Sequence, residues 1–148
     1  MRKSLVLALV TVLALTVGAS ALAKHKKPPF KTGQYTGTVT SAISGKEPAS
    51  HTVRLTISKI GKRYKVQLTS FIVKVTCDGK LRSQGLLFGV IYVSKKTGQF
   101  SGKTVRGHSP GTATVTGKAS GKQITATWNY SVPNGSCWGN GNVDATHP

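Results

Sequence analysis

Gln123-Ile124-Thr125-Ala126-Thr127-Trp128-Asn129-Tyr130-Ser131 alternates without a break. Ile124, Ala126, Trp128 and Tyr130 fall on one side of an extended chain; Thr125, Thr127, Asn129 and Ser131 fall on the other. Successive side chains of a strand point to opposite faces, so this period of two reads as a strand with one buried and one wet face.

The same period runs outward in both directions. Upstream, Val53, Leu55 and Ile57 alternate with polar residues, as do Tyr64, Val66 and Leu68, with Ile60-Gly61-Lys62 as a hairpin turn between them. At Ser70 the phase slips by one residue, and Phe71, Val73, Val75 and Cys77 become the apolar set. Such a slip marks a β-bulge or a bend between two strand segments. Asp78-Gly79 is a strong turn signal. Residues 81–93 are apolar with weak alternation, the expectation for a strand covered on both faces. Turns are expected at 94–98, 107–111, 119–122 and 133–136. Strands are expected at 99–105, 112–116 and 137–145. No helical stripe occurs beyond the N-terminal apolar run. About eight short strands separated by turn residues imply an all-β fold, an antiparallel β-sandwich or a meander β-barrel.

The beginning of the chain reads as a leader. Arg2 and Lys3 precede an apolar run from Leu5 to Val17, and Ala21-Leu22-Ala23 fits a small-x-small cleavage site. Residues 1–23 are therefore expected to be a signal peptide, residues 24–32 a flexible basic arm and residues 33–148 a single domain. A secreted or cell-envelope location follows. There the isolated pair Cys77 and Cys137 is expected to form a disulfide, closing a loop of about 60 residues for a stabilisation of roughly 4 kcal/mol.

Charge is the strongest compositional signal. The chain holds 21 Lys and Arg against three acids, Glu47, Asp78 and Asp144. Loss of Arg2 and Lys3 with the leader leaves 19 against three, a net charge of +16. Such a balance favours anionic partners: acidic polysaccharide, teichoic acid or another anionic polymer. Sequence-specific nucleic-acid binding is not expected, because Tyr64, Phe71, Phe100, Trp128 and Tyr130 fall on core faces rather than on a stacking platform.

Two short segments echo one another. Gly33-Gln34-Tyr35-Thr36-Gly37 and Gly98-Gln99-Phe100-Ser101-Gly102 both read Gly-Gln-aromatic-hydroxyl-Gly. Together with Val73-Lys74-Val75-Thr76-Cys77-Asp78-Gly79, the Gly-rich run at 111–121 and a second Cys near the end, this order resembles a loose group of small secreted β-proteins from Gram-positive bacteria. Gly33-Gln34-Tyr35 also resembles, more distantly, the Gly-x-Trp of calycin-type meander barrels. Both resemblances imply a fold and neither implies an active site.

The chemistry-bearing residues are sparse. Asp78 belongs to its Asp-Gly turn and Glu47 precedes Pro48, so the acids do not form the facing pair that glycoside hydrolysis needs. The one suggestive loop, Gly107-His108-Ser109-Pro110-Gly111, has the Gly-x-Ser-x-Gly spacing but no helical pattern follows it, so it lacks the strand-to-helix turn of a nucleophile elbow and His108-Ser109 stands alone. The histidines are scattered and the thiols are committed, so neither a metal site nor a cofactor is expected. The last strand offers one candidate binding face. With Cys137, Gly139, Gly141 and Val143 inward, Trp138, Asn140, Asn142 and Asp144 share the outward face. A Trp ring beside amides and a carboxylate suits a sugar. The sequence thus points first to a non-enzymatic basic protein that holds anionic polymers. A glycan- or small-ligand-binding barrel comes second, and a hydrolase or inhibitor third.

Overall fold

A computed structural model of the chain describes residues 26–105 and 110–148. The expected leader and the His108-Ser109 pair lie outside the described residues. Ten strands follow in order: β1 (Gly33–Ser41), β2 (Ala49–Ile60), β3 (Arg63–Thr69), β4 (Ile72–Cys77), β5 (Lys80–Gly85), β6 (Ile91–Val93), β7 (Gln99–Lys103), β8 (Thr112–Ser120), β9 (Gln123–Ser131) and β10 (Cys137–Thr146). Eight of them, β1-β2-β3-β6-β7-β8-β9-β10, form an antiparallel meander that closes through β1–β10 pairing. The fold is a closed barrel rather than a sandwich.

The alternation read from the sequence sets the two surfaces. Tyr35, Val53, Leu55, Ile57, Val66, Ile124, Trp128 and Tyr130 are buried inside. The intervening Thr, Ser, Asn, Lys and Arg residues face outward. This is the inverse of a membrane-spanning barrel, whose apolar side chains face out. The echoed segments carry the same structural duties. Tyr35 and Phe100 enter the core, and Gly37 and Gly102 lie where a Cβ would collide with the Asp144 carbonyl and with Ile91 respectively. Glycine at those places lets neighbouring strands or their side chains come close.

The slip at Ser70 is a bend. Ser70 has φ 58°, Phe71 turns into the core, and β4 leaves the β3–β6 wall to reach β10. There Cys77 pairs in register with Cys137, and the disulfide joins them at a Cα separation of 4.0 Å. β4 and β5 thus form a hairpin inserted into the meander and attached to β10. Phe71 lies edge-on to Phe88 at 5.2 Å and to Trp128 at 6.5 Å, filling that region of the barrel.

Two expectations are corrected. Residues 81–93 are not one strand covered on both faces. β5 is the solvent-exposed outer strand of the hairpin, where Lys80, Arg82 and Ser83 stay wet; Leu86 and Phe88 then dip into the core before β6 begins. β8 continues past 116 to Ser120, because its hairpin with β9 stays in register up to Ser120–Gln123 across only Gly121 and Lys122. Gly121 takes φ 58°, the left-handed conformation that so tight a turn demands.

The described part of the basic arm is tied to the barrel. Phe30 is buried and lies edge-on to Tyr64 at 5.2 Å. The Gly121 N–H donates to the Pro29 carbonyl at 2.6 Å, and the Lys31 N–H donates to the Gly121 carbonyl at 3.2 Å. An isolated aromatic among lysines and prolines therefore plugs one end of the barrel.

Two stability predictions follow from these anchors. Replacing Cys77 and Cys137 by Ser should cost up to about 4 kcal/mol in urea unfolding. Phe30→Ala should cost about 3 kcal/mol, the usual order for an aromatic taken from a packed site. A Phe30→Ala protein within about 0.5 kcal/mol of the parent would show that the arm does not hold the barrel end.

Candidate functional site

The barrel interior is occupied by side chains, so the surfaces available for recognition lie outside. Three barrel turns come together at one end. Tyr64, at the start of β3, pairs with Val93 at the end of β6 and touches Phe30 of the arm. The Ala119 N–H donates to the Gly98 carbonyl, and the His147 N–H to the Lys122 carbonyl. These contacts gather the β2–β3, β6–β7 and β8–β9 turns, the arm and the end of β10 around one rim.

That rim is basic. It carries Lys31 from the arm, Lys59, Lys62 and Arg63 around the β2–β3 turn, Lys95 and Lys96 in the β6–β7 turn, and Lys118 and Lys122 around the β8–β9 turn. All eight are exposed. Glu47 stands in the β1–β2 loop and Asp78 in the β4–β5 turn, both toward the opposite end, and Asp144 lies on the outward face of β10. Eight of the 17 Lys and Arg among the described residues thus meet at one end although they are spread along the sequence. A meander explains how: alternate hairpin turns share an end, and the lysine-bearing turns at 60–62, 94–98 and 119–122 all share this one.

Tyr92 stands beside this rim and was not singled out by sequence reasoning. It lies in the apolar run at 81–93, yet it is 51% exposed, with the Arg63 guanidinium 5.2 Å from its ring centre. That is cation–π distance. The signal that marks it is local: Tyr92 sits between Ile91 and Val93, the inward pair of a three-residue strand.

The candidate face on β10 is formed as the alternation implied. Trp138, Asn140, Asn142 and Asp144 are all exposed on the outside of the barrel, and Trp138 is 44% accessible. Gly139 faces the core instead, where a Cβ would press on Val75 and Trp128. The register extends the face across three further strands. Asn142 lies opposite Thr127, Thr127 opposite Thr116, and Thr116 opposite Ser101. One step along, Asn140, Asn129, Thr114 and Lys103 form the next rank.

Two shallow depressions divide the four residues. Asn142 and Asp144 border a groove of about 930 Å³ that runs across β7–β10 to Tyr92. Trp138 and Asn140 border a smaller one of about 310 Å³ with Thr112, Thr114, Asn129 and Ser131. Among the described residues, no three His, Cys, Asp or Glu side chains gather closely enough to hold a metal ion. No helix among the described residues is long and apolar enough to cross a membrane.

Tyr35 links the core to the rim. Its hydroxyl donates to the Lys31 carbonyl at 2.8 Å, and its ring lies edge-on to His147 at 5.2 Å. Burial pushes the phenol above its ordinary value, only partly offset by the bond to Lys31. Comparison with family models, curated proteins and solved structures gives no significant match.

A pH prediction follows from Tyr35. Its folded pKa lies above the unfolded one, so its contribution is complete below about pH 10 and is lost as pH rises through the folded value. Alkaline titration should therefore unfold the protein more readily than it unfolds Tyr35→Phe, once the two are normalised at neutral pH. Parallel stability curves for the two proteins above that pH would contradict this.

Proposed function

We propose that this is a non-enzymatic secreted or envelope-associated protein that adheres to anionic polymers, acidic polysaccharide or teichoic acid, through the basic rim of its barrel. The observation that carries the reading is the gathering of Lys31, Lys59, Lys62, Arg63, Lys95, Lys96, Lys118 and Lys122 around one end. Like charges held together on a scaffold repel one another, and a polyanion relieves that repulsion while releasing its own counterions. The Cys77–Cys137 disulfide supports an oxidising compartment. The same reading places the chain beside the small secreted β-proteins of Gram-positive bacteria that its turn and core motifs resemble.

Long Lys and Arg side chains on turns suit a flexible polymer better than a shaped ligand, because they can follow it without a fixed geometry. Affinity then comes from the number of charges engaged at once. Specificity for the repeating unit is modest.

The test compares two sets of neutralisations with equal change in net charge. Lys62→Gln, Arg63→Gln, Lys95→Gln and Lys96→Gln together remove four charges from the rim. Lys46→Gln, Lys80→Gln, Arg82→Gln and Lys103→Gln remove four elsewhere. Binding of the parent to immobilised teichoic acid should weaken more than about tenfold between roughly 50 and 200 mM salt. The rim set should weaken it by about tenfold more than the other set. Equal losses from the two sets would mean that net charge alone acts and that the rim is not the contact surface.

A further inference from the structure

The outer wall of the barrel is not uniformly basic. Away from the rim, the outward positions of β9 and β10 include the neutral Thr125, Thr127, Asn129, Asn140 and Asn142, in a chain of net charge +18, with Asp144 the one acid, across Thr125 from Lys118. β8 continues the series with Thr112, Thr114 and Thr116. We infer that this face binds a neutral polysaccharide chain laid between Tyr92 and Trp138.

The register makes the face an ordered array. Ser101, Thr116, Thr127 and Asn142 stand opposite one another across four strands. Neighbouring strands lie about 4.8 Å apart, and alternate residues along a strand about 6.8 Å apart. Threonine is stiff at χ1, so its hydroxyls are held in place before any ligand arrives and little freedom is lost on binding. Each hydroxyl both donates and accepts, and each amide offers one group of either kind. A polyol presents the same pairing. A polyanion gains little here and is drawn to the rim instead. A protein partner would want exposed apolar anchors at the centre, and there Phe100, Ala126 and Val143 are buried beneath the hydroxyls.

The apolar element stands at the margins. Tyr92 borders the larger depression and Trp138 the smaller, and both rings are about half exposed. Aromatic rings offer flat apolar surface to the C–H faces of a sugar while their polar ends stay wet. From β6, which bears Tyr92, to β10, which bears Trp138, there are four strand spacings of the closed barrel, about 19 Å around the wall, and Trp138 stands four residues along β10 from the Asn142 rank, about 14 Å further. That span is too long for one sugar ring and suits a chain. The hydroxyl and amide contacts of this face are neutral and survive salt, while Lys118 of the rim and Asp144 line the same groove and Arg63 lies against Tyr92.

The experiment is retention of the purified protein on insoluble cellulose, chitin and amylose at about 1 M NaCl, where the Debye length falls to about 3 Å and adhesion by charge is screened. At least one of the three should retain the protein, with less than about twofold change from low salt. The double variant Thr116→Val, Thr127→Val keeps shape and strand preference but removes two hydroxyls, and should weaken retention about tenfold. Trp138→Ala or Tyr92→Ala should weaken it as well, whereas Lys62→Gln with Lys96→Gln should not. Circular dichroism and melting of each variant separate lost contacts from lost folding. No retention at high salt overturns the inference, as does retention indifferent to the threonine pair or to both aromatic variants. Failure here with salt-sensitive teichoic acid binding intact would leave the rim reading standing.

Discussion

Everything in this structure depends on how β10 shares its edge. Its C-terminal half pairs with β1 through Thr36–Thr146 to Val39–Val143, which closes the barrel. Its N-terminal end pairs with β4 at Cys77–Cys137 and Thr76–Trp138. Between them the Ala42 N–H donates to the Asn140 carbonyl, and then β1 and β4 diverge. The fork would leave backbone groups stranded in an apolar interior, a cost of a few kcal/mol each. Side chains meet that need. The Trp128 indole N–H donates to the Thr40 carbonyl at 2.9 Å, and the buried Ser41 hydroxyl accepts the Lys74 N–H at 2.8 Å. Gly141 makes room, since a Cβ there would collide with the Thr40 carbonyl. The disulfide then locks the branch that the hydrogen bonds define.

Closure has a functional consequence. Trp128, Tyr35, Phe71 and Phe100 fill the interior, so both proposed contacts lie on the outer surface. On that surface strand direction sorts residues by end. The lysines of three turns meet the arm at one rim, while Glu47 and Asp78 sit toward the other. Hydroxyls and amides, with Asp144 and Lys103 among them, occupy the wall that runs down from the rim. The two contacts proposed above, one charge-driven and one hydrogen-bonding, therefore adjoin, with salt acting on the first and leaving the second.

Much of this was legible in the sequence, for physical reasons that can be named. Period-two runs identified Ile124, Ala126, Trp128 and Tyr130 as core, and the alternation of β10 put Trp138, Asn140, Asn142 and Asp144 together outside. An isolated cysteine pair in a chain whose first residues read as a leader implied the disulfide. The misread stretch was 81–93, where counting apolar residues hid a change of role. Leu86 and Phe88 enter the core by way of a connection, β5 is an exposed outer strand, and Tyr92 points outward. Phe30 was passed over because its burial depends on a parallel bridge to Gly121, about ninety residues away, which local patterning cannot reveal. Gathering of the lysines was hidden for a similar reason. It appears only when the parity of the turns is followed around a closed barrel, and the inserted β4–β5 hairpin disguises that parity.

The most direct test of the account is an amide chemical-shift map of the protein titrated with a short teichoic acid fragment at low salt. The account predicts shifts concentrated at Gly61–Arg63, Lys95–Gly98 and Gly121–Lys122, with the β4–β5 hairpin and the β1–β2 loop undisturbed. Shifts of equal size at Lys46, Lys80 and Arg82 would contradict it, because the charge would then act without regard to where the barrel places it.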